Sequence, residues 1–485
     1  MPGTTVCIAA LVQQTPVLRE IFGPQLDDRK TVCRLGNSTK RYRNTVAHRA
    51  GPGYVGLPQF LARQPDCKRQ SVTPTANGQE STTNDSCVAA VTRRGILRVA
   101  AALAPGILLG QQNSSVLARR PADPRRMVRF PEKRELVLQT DRPPQLETPL
   151  HYFRQDLTPN DAFFVRWHLA GIPTQVDRRS FRLQIDGHVQ RSLSLSLDDL
   201  RQRFPPASVI AIAQCSGNSR SLFKPRVAGA QWRHGAMGNA RWTGVRLRDL
   251  LEAAGIRAGA VDVSFDGLDE PPLNSIPDLV KSLAVDHARS PDVLIAYEMN
   301  GEPLPMLNGF PLRLVVPGWY ATYWVKALCH ITVLDRAFDG YWMAKAYRIP
   351  NNAKGTEIPD HLATDTVPIN RFTLRSIFVR PEPDEQLALG RPYEIEGVAF
   401  DYGAGIRRVE VSLDNGLRWM DARLDPELGK YSFRRWRFRW SPPSRGQHQL
   451  LARATNNEGV GQPTQHWNRG GFMRTLIEDV QVNVV

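Results

Sequence analysis

The pattern of apolar and polar positions divides this 485-residue chain into three textures. Residues 1–90 show little periodicity and are rich in Thr, Asn, Gln, Gly and Pro, so no packed core is expected there. From Leu150 to about Asn370, short strands, helices and loops alternate. "FFVRWHL", Phe163–Leu169, reads as a strand, and "FRLQIDGHV", Phe181–Val189, alternates and meets a hairpin signal at Asp186-Gly187. "SLDDLRQRF" places Ser196 at the N-cap of a helix, and "RLRDLLEAAGI" is an amphipathic helix stopped by Gly255. "PLRLVVPGWY" is an apolar strand broken at Pro317-Gly318. The succession predicts an α+β domain rather than a βαβ series.

Beyond about Arg371 the texture changes again. "RRVEVSLDNGLRW" is a strand, a turn at Asp414-Asn415-Gly416 and a second strand. "FRRWRFRW" puts Trp436, Phe438 and Trp440 on one face and arginines on the other, and "HQLLARATNNEG" adds another strand and turn. Short alternating strands over residues 371–485 predict an immunoglobulin-like β-sandwich resting on its apolar core alone.

Composition sharpens this picture in two places. The chain is 41% hydrophobic and 23% charged, as a globular protein is, and too long for one ordinary core. Its formal charge is +16, which would suit a nucleic-acid partner. Residues 1–126, however, hold 18 Lys and Arg against 7 Asp and Glu, so +11 of that charge lies there and only +5 in the remainder. No aromatic-studded basic stripe or nucleic-acid motif accompanies it, so no nucleic-acid partner is expected.

The front of the chain reads as a leader. "TRRGILR" precedes the apolar run "VAAALAPGILLG", the order of a twin-arginine (Tat) export signal over residues 92–118. The run is short and interrupted by Pro105 and Gly106, so no stable membrane anchor is expected. A buried helix with a basic start is the competing reading. Residues 1–91 precede it, which suggests an upstream extension with the true start near Val88 or Val91, and cleavage after Ala118. Residues 119–149, rich in Arg and Pro, read as an extended arm, with a catalytic domain over 150–370. Periplasmic localisation follows from the leader.

The chemistry centres on "SVIAIAQCSGNSR". An isolated Cys after an apolar strand is most often a buried small hydrophobe. Cys215 could also be a nucleophile, given a base such as His168, His188 or His234, or one soft ligand to a metal held mostly by a chelating cofactor. Cys329, in "ALCHITVL", reads as a buried strand residue, and no C-x-x-C-H attaches a c-type haem.

Four blocks then carry a resemblance: "AIAQCSGNSR", "GAMGNARWTGVRLRDLLEAAG", "LIAYEMNGEPLPMLNGFPLRLVVPGWYATYWVKAL" and "SLDNGLRW". In this order they resemble the sulfite oxidase family of molybdenum enzymes. "FFVRWHLAGIP" and "YWMAKAYRIP" resemble the bacterial periplasmic sulfite dehydrogenases in particular. The resemblance implies a molybdopterin-binding domain, a C-terminal dimerisation domain and a homodimer. It implies molybdenum and molybdopterin as cofactors, sulfite as substrate and an external c-type cytochrome as electron acceptor, with no haem on this chain.

Carried over residue by residue, Cys215 is the thiolate ligand to molybdenum. Arg166 and Arg220 are the anion-pocket arginines, Trp232 the pocket tryptophan and Tyr347 the active-site tyrosine. Phe164, Val165, Arg166, Trp167 and His168 lie along the cofactor, and Asp269, Arg313, Trp324, Val325 and Lys326 hold the pterin and its phosphate. Asn308 stands where animal members have a cofactor-contacting His, and it cannot carry charge. The family's C-A-G-N-R-R is here C-S-G-N-S-R, with Ser219 replacing the first arginine. Ser216-Gly217-Asn218-Ser219 is expected to be small so that backbone fits around a bulky cofactor. Arg469 lies close to a region that supplies a substrate arginine in animal enzymes, in different surroundings. Arg348 and Lys345 are either partner-docking residues or plain surface. Rival readings on the same fold are a methionine sulfoxide reductase or a nitrate reductase. A rival of another class is a binding protein that kept the fold and lost the metal.

Overall fold

The computed structural model describes residues 125–485. The upstream extension and the export leader lie outside the described residues. The stretch read as an extended arm is folded where it is described. Strands Met127–Val128, Leu136–Thr140 and Gln145–Glu147 form a four-stranded sheet with Val165–Arg166. Leu136, Leu146, Val165 and Trp167 make a small core of their own there. Sequence alone missed this because the arm's strands are two to five residues long, too short for a period.

Two five-stranded sheets follow. One joins Lys281–Ala284, Asp262–Gly267, Leu328–Leu334, Leu183–Gly187 and Leu193–Leu195, with a single parallel pairing between Leu328–Leu334 and Leu183–Gly187. The other joins Glu302–Pro303, Leu294–Met299, Met237–Arg246 and Pro206–Gln214, with Arg313–Val315 pairing Leu294–Met299. Both expected helices are present. Ser196 and Asp199 form a capping box on Leu197–Arg203, satisfying two backbone donors reciprocally. Leu247–Ala254 ends at Gly255, whose positive φ of 70° lets its N–H return to Leu251 and Glu252. "FFVRWHL" is strand only at Val165–Arg166, and beyond it the indole of Trp167 donates to Leu307 O at 3.0 Å.

The C-terminal region is the expected sandwich of α+β architecture's second domain. A four-stranded sheet, Arg375–Arg380, Tyr393–Phe400, Arg434–Trp440 and Arg423–Leu424, faces a five-stranded one. The first two strands of that four-stranded sheet are buried on both faces. Phe378 and Ala399 face the sandwich core, while Ile377, Val379, Val398 and Phe400 join the main core of the preceding domain. A strand buried on both faces reads as a continuous apolar run, which is how "SIFV" and "VAF" are written. Among the described residues no helix is long and apolar enough to cross a membrane.

Candidate active site

Strand Pro206–Gln214 delivers the chain to Cys215, whose N–H bonds Ala236 O at 2.9 Å. Asn218 holds the following turn: its N–H donates to Cys215 O at 3.0 Å and its side-chain oxygen accepts from Ala236 N at 3.0 Å. Cys215 is half-buried and is the free cysteine among the described residues, whereas Cys329 is buried in its strand. A narrow pocket of about 20 Å³ opens beside the thiol. Phe164, Arg166 and His168 line one side, Asn308, Arg313 and Lys326 another, and Tyr347 and Ser216 close it.

The charges are one-sided. Arg166, Arg313 and Lys326 face the pocket and no carboxylate lines it. Burial, then the Arg313 charge, lowers the Lys326 ammonium to about 7, with Asp269 and Cys215 acting the other way. Burial lowers Arg313 to about 9. Lys326 rests 4.8 Å from the Trp167 ring, and Arg313 sits 5.1 Å from Trp242 and 5.7 Å from Trp324. Aromatic faces therefore add to the support of these buried cations.

A three-residue chain of hydrogen bonds runs along the pocket. Arg166 Nη2 donates to the Tyr347 hydroxyl at 3.2 Å, and the hydroxyl lies 2.5 Å from His168 Nε2. Burial, then Arg166, Lys326 and Lys281, pushes the His168 imidazole well below its ordinary range, so it is neutral. Burial raises the Tyr347 phenol, although Arg166 and Arg220 act to lower it. Tyr347 thus accepts from Arg166 and donates to Nε2, which leaves Nδ1 of His168 carrying the proton. That Nδ1 is buried without a partner in the chain. Tyr347 itself has a φ of 55°, strained for a bulky residue.

Arg220 enters from Ser219, whose own φ is 70°. Its guanidinium donates to Gly470 O at 3.2 and 3.0 Å and lies 5.2 Å over the Phe472 ring. Phe472 in turn stacks on Tyr347 at 5.4 Å. Residues 470–472 of the C-terminal domain therefore complete the site beside Arg220 and Tyr347, a contribution no sequence motif signalled.

The remaining candidates are placed as follows. Trp232 is 1% exposed and packs in the core, outside the pocket lining. Trp324 is also buried, donating to Val316 O and Trp319 O and backing Arg313. Val165, Val325 and Asp269 are buried, Asp269 with its charge acting on Lys326. Asn308 lines the pocket, yet both ends of its amide are used inside the protein. Its oxygen accepts from Lys133 Nζ at 2.5 Å and its nitrogen donates to Phe164 O at 3.1 Å. The charge that an amide lacks is supplied from behind by Lys133. Arg469 pairs with Glu357 at 2.6 Å and donates to Ala363 O, an arrangement that holds it to that carboxylate. Arg348 turns inward to Met343 O and Thr366, while Lys345 is exposed.

These residues fit the cofactor that the resemblance implies. Buried polar atoms without partners in the chain include Nδ1 of His168, Oγ of Ser216, Nε of Arg313 and Oγ1 of Thr322, all on pocket-lining residues. A multiply charged anion would satisfy them. Among the described residues no group of three or more His, Cys, Asp or Glu could hold a metal. Cys215 could supply one ligand to a metal, with the other ligands brought by a chelating cofactor.

A sandwich appended to a mixed α+β domain, with one thiol facing a cationic pocket, is the arrangement expected of a molybdopterin-binding oxidoreductase. Residues 169–342 match the family described as "Oxidoreductase molybdopterin binding domain", and residues 366–485 match "Mo-co oxidoreductase dimerisation domain". The chain belongs to the sulfite oxidase family. It is 34% identical over 334 residues to sulfite oxidase of Gallus gallus, spanning 66% of this chain and 71% of the relative. It is 33% identical over 366 residues to mitochondrial sulfite oxidase of Rattus norvegicus, spanning 72% of this chain and 66% of the relative. In fold it is similar to the sulfane dehydrogenase SoxCD of Paracoccus pantotrophus. That likeness has a TM-score of 0.61 at 24% identity, covering 74% of this chain and 88% of that one.

Proposed function

We propose that this protein oxidises sulfite to sulfate: sulfite and water give sulfate, two protons and two electrons. The observation that carries the reading is the pocket in which Cys215 faces Arg166, Arg313 and Lys326, with Tyr347 and His168 on its wall. Cys215 would bind molybdenum, and Arg313, Lys326 and Ser216 would hold the pterin cofactor. When bound, that group supplies the two-electron redox change and the oxygen transfer.

The chain's own residues do the rest. Sulfite is a small, strongly hydrated anion, and fixed cations must offset its dehydration. Arg166 and Arg220 serve, because a planar fork can engage two oxygens at once. Each charge-assisted contact contributes about 1.5–3 kcal/mol. Arg220 is held ready by Gly470 O and Phe472, so little side-chain freedom is lost on binding. Tyr347 keeps its proton at neutral pH and passes a hydrogen bond to His168, a path for the protons that the reaction releases. Electrons leave singly to an external c-type cytochrome. The protein is exported through the twin-arginine route to the periplasm and works as a homodimer through its C-terminal domain.

The test is sulfite-dependent reduction of ferricyanide or cytochrome c by the metal-loaded protein, with molybdenum measured on the same sample. Turnover with sulfite, abolished by Cys215→Ser, is expected. Reduction of a sulfoxide with no response to sulfite would replace the reading, as would a protein that takes up no molybdenum.

A further inference from the structure

Lys281 is a buried cation that the foregoing chemistry does not use. It begins the edge strand Lys281–Ala284, in register with Phe265, and is 1% exposed. Its ammonium donates to Trp342 O at 2.6 Å. It lies 4.6 Å from the Tyr323 ring centroid and 5.6 Å from that of Tyr347. Among the described residues no carboxylate pairs with it, and burial lowers it to about 7. An unpaired buried ammonium is expensive, so its surroundings are informative.

They converge on one segment. Trp342 belongs to the short helix Tyr341–Ala344, three residues before Tyr347. Arg348 Nη1 holds the neighbouring Met343 O at 3.0 Å. The Trp342 ring edges His168 at 5.4 Å. Lys281 thus secures the helix by its carbonyl and the tyrosine by its ring face. The charged and titratable groups facing His168 are Arg166, Lys326, Lys281 and Tyr347. Those facing Lys281 are Tyr323 and Tyr347, with Arg348 and Asp262 acting on Tyr323.

We propose that Lys281 is a positioning residue for Tyr347, holding its ring and segment from below and fixing the direction of the Tyr347–His168 hydrogen bond. Without the lysine, the strained backbone at Tyr347 loses an anchor. The role is exercised during sulfite turnover, and so rests on the function proposed above.

The experiment uses the cofactor-loaded enzyme carrying Lys281→Met, with Lys281→Gln as a second variant that keeps a donor for Trp342 O. Molybdenum content stays at the wild-type level, while kcat falls about tenfold or more and KM for sulfite changes far less. In a Tyr347→Phe background, Lys281→Met costs less than about twofold, because the two act as a unit. A crystal structure of the variant shows the Tyr347 hydroxyl more than about 3.5 Å from His168 Nε2. Retained kcat, additive effects in the double variant or an unmoved Tyr347 each overturn the proposal. If the wild-type enzyme ignores sulfite, the functional reading fails, and the position of Tyr347 in the variant still decides whether Lys281 holds it.

Discussion

Gly217, two places after the thiol, is small for a reason other than the one its motif suggests. A Cβ there would come within 2.5 Å of Arg220 Nη2 and 2.6 Å of its Cζ. A Cβ on Gly229 would come within 2.8 Å of Arg220 Nη1, and one on Gly471 within 3.0 Å of its Nε. The turn is small so that Arg220 can fold back over it. Gly217→Ala should therefore behave as a defect in Arg220. KM for sulfite rises about tenfold, the value of one charge-assisted contact, with molybdenum content unchanged. Steady-state kinetics beside metal analysis checks this, and an unchanged KM would show that Arg220 does not bind the substrate. At this scale Cys215, Arg166, His168 and Tyr347 were legible because each sits in a contiguous block. Lys133 was not: its partner Asn308 is 175 positions away, and nothing in "EKREL" marks one lysine as buried. Lys281 and Phe472 were hidden for the same reason.

The strand Arg375–Arg380 shows what an element adds to such residues. Its side chains alternate between two cores, and its first residue, fully buried, points back at the Cys215 turn. Arg375 Nη2 donates to Ser219 Oγ at 2.9 Å and pairs with Glu478 at 2.5 Å. Arg474 reaches the same carboxylate at 2.9 Å. The strand thus puts a guanidinium beside the position where the family's motif carries its first arginine. Burial raises the Glu478 carboxyl, but Arg474 and Arg375 outweigh it and hold it at about 2. His234, lowered by burial to about 3, stays neutral and hydrogen-bonds Ser219 at 2.8 Å. Two arginines on one carboxylate make Glu478 the keystone of the cluster. Glu478→Gln leaves both cations uncompensated and is expected to cost about 3–5 kcal/mol. Urea unfolding measures it, and a loss under about 1 kcal/mol would mean that the cluster relaxes into solvent. The strand itself is legible as an apolar run, but nothing in the sequence marks its first arginine as buried, because only the packing of the two domains buries it.

At the scale of the whole molecule, the division into an α+β domain and a sandwich was legible from texture alone, and the modest +5 beyond residue 126 from counting. What counting could not show is where the positive charge goes. Lys133, Lys281 and Lys326 are all buried, and each is lowered from 10.5 to about 7, chiefly by burial. This has a consequence for stability. Below about pH 7 these lysines are protonated in both the folded and unfolded states, and the full penalty of burying charge is present. Between about pH 7 and 10.5 the unfolded chain binds more protons than the native one. Stability therefore rises with pH across that window, by up to about 1.4 kcal/mol per pH unit for each lysine. Lys133 is the one to test, since it lies behind Asn308 rather than in the pocket. In cofactor-free protein, the urea midpoint should climb between pH 7 and 9. The climb should be smaller in Lys133→Met, whose native and unfolded states bind the same number of protons at that position. Equal climbs in the two proteins would mean that the Lys133 ammonium is solvated or paired in solution, and that the site's cations do not store the repulsion a bound anion would relieve.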